Sequence, residues 1–147
     1  MFKTIVIATD GSDNAGKAAD VAIDMAKRYG SKLLVISVYR HISQLESTHS
    51  LVRARYTPEP PDATLSELAR DAVQWVAERA KEQGLEEVET EVKRGPISRT
   101  IVEFAKNRNA DAIILGSRGL GDMTGMLLGS VSHKVNSLSA CTCITVK

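Results

Sequence analysis

Five short apolar runs alternate along the chain with four longer stretches of helical period. Residues 4–8 (Thr-Ile-Val-Ile-Ala) form a β-branched run suited to a strand buried on both faces. Turn chemistry follows at Thr9-Asp10-Gly11-Ser12, where Ser or Asp can cap a helix. Ala15, Ala18, Ala19, Ala22, Ile23, Ala26 and Tyr29 then share one helical stripe, which Gly30 ends. Residues 33–38 are a second buried strand. Leu65, Leu68, Ala69, Ala72, Val76 and Ala80 mark a second helix, stopped by Gly84, with Trp75 off its apolar face. At 88–92 valines alternate with glutamates, as in a half-exposed edge strand. Gly95-Pro96 opens a third helix carrying Ile97, Ile101, Phe104 and Ala105. A further buried strand at 112–115 runs into Gly116. Val131, Val135 and Leu138 mark a fourth helix, and residues 143–146 a last strand.

Strict alternation of strand and helix predicts the α/β class: one parallel sheet with helices on both faces, in a single domain spanning 1–147. Ligands in such folds bind beyond the C-terminal strand ends, where strand order reverses. Residues 8–12 and 116–130 therefore lie on one rim, and they face each other if the first and fourth strands are neighbours. Between 39 and 62 the pattern dissolves into a long connection closed by Pro58, Pro60 and Pro61. It reads as a lid or partner surface, or as a plain linker.

Bulk properties remove several function classes. Hydrophobic residues make up 43% and charged residues 25%, an ordinary globular balance. The net charge of +1 offers no excess for nucleic acid or an anionic membrane, and 4% aromatics leave few rings for stacking bases. No apolar run approaches the ~20 residues of a bilayer crossing. Met1-Phe2-Lys3 leads straight into a strand rather than a signal peptide. The two cysteines, Cys141 and Cys143, make no secreted disulfide framework. A cytoplasmic protein without membrane insertion is the expectation.

Candidate chemistry concentrates at 116–132, which holds five of the ten glycines. Free amides at a helix start, reinforced by its dipole, make an anion site, and Gly129-Ser130 stand just before the fourth stripe. Ser130 and Ser132 add hydroxyl donors, and Arg118 a charged fork. By itself the segment reads equally well as a flexible loop with a serine cap. It contains no Walker A sequence. Gly119-x-Gly121 fails as a dinucleotide fingerprint, because Thr124 follows and the first strand does not precede it. Asp10 lacks the companion acids a receiver domain uses for magnesium.

The spacing Gly116-x2-Gly119-x9-Gly129-Ser130 resembles the glycine signature of the ATP-binding branch of the universal stress protein family. The resemblance extends over nearly the whole chain, from residues 5–12 through Gly95-Pro96 to Gly116. It implies an open five-stranded sheet of order 3-2-1-4-5, adenine-nucleotide alpha-hydrolase-like, usually in a homodimer. It also implies ATP with Mg²⁺ or Mn²⁺, although no carboxylate cage is visible. On this resemblance Ala8, Thr9 and Asp10 lie beside adenine and ribose, and Val38 offers its backbone to the adenine edge. Gly116 and Gly119 take the ribose and phosphate side. Gly129, Ser130, Val131 and Ser132 form the phosphate-binding helix start, and Arg118 stands where the family varies. Thr142 replaces a frequent family proline, which bears on the local turn.

Other groups have plainer readings. His41, His49 and His133 make no metal-ligand spacing with the cysteines, which read as small hydrophobes of the last strand. No nucleophile is paired with histidine and no base for water stands out, so no catalytic residue is expected. A nucleotide-responsive regulatory or stress-response module is the leading reading. The alternatives are a slow ATPase or phosphotransferase, and a nucleotide-independent dimeric stress protein. Dimerisation is expected through the last strand, and the resemblance admits a protein partner such as a membrane transporter.

Overall fold

The computed structural model describes residues 1–40, 62–120 and 128–147. Its strands are β1 (Thr4–Ala8), β2 (Lys32–Tyr39), β3 (Val88–Arg94), β4 (Ala112–Gly116) and β5 (Thr142–Val146). Its helices are α1 (Asp13–Tyr29), α2 (Asp62–Glu82), α3 (Ile97–Asn107) and α4 (Ser130–Leu138). The five strands form one parallel sheet in the order β3-β2-β1-β4-β5. The expectations placed on residues 41–61, including His41 and His49, fall outside the described residues.

The central strands explain the order. Ile5, Val6 and Ile7 of β1 are wholly buried, as are Leu33, Val35 and Ile36 of β2 and Ile113 and Ile114 of β4. Such strands need cover on both faces, and the helices supply it. Ile5, Ile7 and Val35 meet the alanine stripe of α1 and Val73, Val76 and Ala80 of α2. Val6, Leu34 and Ile113 meet Ile101 and Phe104 of α3 and Val135 of α4 on the opposite face. The edge strands are only partly buried.

Local signals set the helix ends. Ser12 caps α1, its hydroxyl accepting from the Ala15 amide at 3.2 Å. Gly30 closes the helix in the left-handed region at φ 63°, with its amide on the Ala26 carbonyl. Two stripes are narrower than their period suggests. Leu68 is 58% exposed on α2, and Tyr29 at the last position of α1 is half exposed, edge-on to Phe2. Both lie where the helix surface has turned away from the sheet. Backbone pairing also carries β2 through Tyr39 and β3 through Arg94, past the last apolar residue of each.

At the rim opposite the strand C-termini, one carboxylate ties the first strand to the fourth. Asp111 Oδ2 accepts from the amides of Lys3 (2.7 Å) and Thr4 (2.9 Å), while its own amide donates to the Thr4 carbonyl. Those backbone amides hold its carboxyl below the ordinary aspartate value. Its stabilisation is therefore complete above about pH 4 and is lost as pH falls through the lower folded-state value. Asp111→Ala should cost about 1 kcal/mol at pH 7, partial exposure reducing the full value of a charged hydrogen bond. In urea titrations the gap from wild type should close as pH falls below 4; a gap unchanged at pH 2 would contradict the assignment.

Candidate functional site

β1 pairs with β2 on one side and β4 on the other, and the chain leaves the two sides toward opposite faces. That reversal opens a crevice beyond the ends of β1 and β4. A cleft of about 370 Å³ lies there, within the usual range of small-molecule sites. It is lined by Ala8, Thr9, Asp10, Val38, Gly116, Arg118, Gly119, Ser130, Val131 and Ser132. Gly129 sits just behind this lining, buried as the N-cap of α4.

The loop after β4 is pinned at both described ends. The Ser117 amide donates to the Val146 carbonyl at 2.7 Å. The Ser117 carbonyl accepts from the Gly129 amide at 2.5 Å and from the Ser132 hydroxyl at 2.8 Å. Asn14 Nδ2 reaches the Ser117 hydroxyl at 3.4 Å. Asp10 ties the opposite loop in, with Oδ1 accepting from the Ser12 amide at 2.9 Å and Oδ2 from the Leu120 amide at 3.1 Å. Asp10 is thus a loop fastener, and the cap of α1 belongs to Ser12.

Two expected roles change in detail. The Ser132 hydroxyl is 2% exposed and turned onto the Ser117 and Gly129 carbonyls, so it holds the loop instead of reaching outward. Gly129 has φ −73° and ψ 168°, a conformation open to any residue. What glycine contributes there is the lack of a side chain: no cap bond is made, and the first-turn amides of Ser130, Val131 and Ser132 find no acceptor among the described residues. Gly116 is glycine for a different reason. A Cβ on it would lie 2.9 Å from the Asn14 carbonyl carbon and 3.0 Å from the Ala15 amide nitrogen.

Sequence reasoning missed the apolar wall. Ile36, Ile97, Ile101 and Leu115 line the cleft together with Val38, continuous with the core on the α3 side. The available signal was Gly95-Pro96, which starts α3 at the C-terminal rim and so aims its first turn at the crevice. Ala15 and Leu120 complete the lining. One end of the cleft is accordingly apolar. The other presents helix-start amides, the exposed Ser130 and Arg118, which has no ion-pair partner among the described residues. This arrangement suits a molecule with an apolar ring at one end and an anion at the other.

The chain matches the profile of the universal stress protein family across residues 1–147. The chain belongs to the universal stress protein family. The universal stress protein YxiE of Bacillus subtilis is 35% identical over 151 residues, with all of both chains covered. A universal stress protein of Thermus aquaticus is 34% identical, again over the whole of both. Among solved structures, UspA from Lactobacillus plantarum superposes with TM-score 0.80 at 23% identity, covering 99% of this chain and 97% of its own. A universal stress protein solved in complex with cAMP superposes at 0.71 with 25% identity and the same coverage. The order 3-2-1-4-5 is therefore this family's sheet.

Gly116→Ala tests the close approach directly. The added methyl should push the first turn of α1 away from β4 and lower stability by about 1–3 kcal/mol, read from a urea melt. A melt indistinguishable from wild type would mean that β4 and α1 are not this close.

Proposed function

We propose that the cleft holds ATP and that its occupancy sets a state which a partner protein reads, making the chain a nucleotide-responsive regulatory module of stress response. The observation that carries this reading is the pairing, across one small cleft, of an apolar wall with three helix-start amides that have no acceptor among the described residues. Adenine fits between Val38, Ile97 and Ile101. The ribose lies near Asp10, whose carboxylate keeps lone pairs beyond the two amide bonds it accepts. The phosphates meet the amides of Ser130, Val131 and Ser132, with Gly129 giving the room and Arg118 countercharge. The relative solved with cAMP supports an adenine nucleotide as the ligand class.

A divalent ion fits this chain only as part of the nucleotide. Among the described residues Asp10 is the one carboxylate lining the cleft, and each of its oxygens already accepts a backbone amide. Among the described residues no group of three His, Cys, Asp or Glu side chains stands ready for a metal. Mg²⁺ or Mn²⁺ would ride on the triphosphate oxygens. Among the described residues no free base lines the cleft beside the phosphate end, which favours holding ATP over hydrolysing it. Regulation then requires ATP to favour one state over another, because equal binding to both shifts nothing.

Two substitutions test the placement. Ser130→Asp puts a negative charge at an exposed first-turn position, which favours the helix by about 0.3–1 kcal/mol while repelling phosphate. Calorimetry should then show ATP binding lost with the melting temperature kept or raised, and wild type should leave ATP intact over hours. Gly129→Val should likewise abolish binding by filling the phosphate space. Unchanged ATP affinity in both would mean that the triphosphate lies elsewhere. We further propose a homodimer through β5, whose outer edge is unpaired among the described residues. Light scattering should give twice the chain mass at micromolar concentration; a monomer mass would refute it.

A further inference from the structure

A second groove of about 660 Å³ opens on the other side of the β1–α1 turn, between the first turns of α1 and the outer face of α2. Three large exposed apolar side chains line it: Leu68, Trp75 and Leu120, at 58%, 46% and 76% exposure. Among the described residues, the charged side chains in its lining are all acidic: Asp10, Asp13 and Asp71. Contiguous apolar surface within a rim of one charge is the kind of surface another protein covers.

Gly16 adds an independent observation. It sits inside α1, where glycine is less favourable than alanine. Its backbone is not left-handed, and an added Cβ would make only an ordinary 3.6 Å contact with the Trp75 ring. The helix therefore gains nothing from glycine here, whereas the groove gains an open floor beside the indole. The ring already takes a guanidinium: Arg79 lies 5.2 Å from its centroid. Arg79 is itself paired with Asp20, so its charge is answered within the fold and does not neutralise the groove.

We propose that this groove docks a segment of a partner protein that carries an apolar side chain flanked by lysine or arginine. The apolar side chain packs on Trp75 and Leu68 above Gly16. The basic groups face Asp13 and Asp71, both exposed, since Asp10 is engaged by two backbone amides. The docking needs no nucleotide and stands apart from the reading of the first cleft.

Trp75 is the only tryptophan of the chain, so its emission reports on the groove alone. The probe is a synthetic amphipathic helix of leucine and lysine, titrated into nucleotide-free protein at low salt. It should give a saturable blue shift of Trp75 that weakens as salt rises. Asp71→Lys should weaken binding about tenfold or more and Asp71→Asn by less, both with unchanged circular dichroism because Asp71 is exposed. A leucine–glutamate helix of the same pattern should leave the emission unmoved. The proposal is overturned by no saturable shift, by equal binding of the acidic helix, or by wild-type affinity in Asp71→Lys.

Discussion

The end of β4 lies against the first turn of α1 with no room for even one methyl group at Gly116. Much of the functional architecture depends on that contact. It brings the two rim loops together across the crevice and sets Asn14 beside Ser117. Ser117 in turn collects the Gly129 amide, the Ser132 hydroxyl and a bond to the last strand. These contacts fix the start of α4 relative to β1. Preorganisation of this kind lets helix-start amides wait for an anion at little cost on binding.

The division of labour among the glycines follows from the same geometry. Gly116 is demanded by packing and Gly30 by a left-handed cap, whereas the backbone angles of Gly129 are open to any residue. With no side chain at Gly129, three amides of the first turn are left without an acceptor among the described residues, an arrangement that suits an external anion. The apolar wall from α3 and β2 then limits which anions suit the cleft. Inorganic phosphate would leave that wall uncovered, whereas the proposed adenine nucleotide would cover it.

Much of this was readable along the chain, for identifiable reasons. Strands buried on both faces carry unbroken β-branched runs, so β1, β2 and β4 announced themselves, and their alternation with helices dictated a parallel sheet. The order of the strands came from the glycine spacing and its family resemblance, not from periodicity. Hydroxyl and carboxylate roles were less legible, because they depend on direction: Ser132 turns inward to a carbonyl and Asp10 fastens a loop, while Ser12 does the capping. Ile97 and Ile101 were indistinguishable from ordinary core, since a side chain that lines a cleft continuous with the core obeys the same period. Leu68 belonged to a stripe by spacing and to the surface by position, which the sequence pattern cannot separate.

The central claim is that this universal stress protein holds ATP in the cleft between β1 and β4. Native mass spectrometry of the protein purified without added nucleotide, and again after millimolar ATP, addresses it most directly. The account predicts one ATP mass per chain, retained with its divalent ion and released on unfolding. A bare protein mass under both conditions would contradict it.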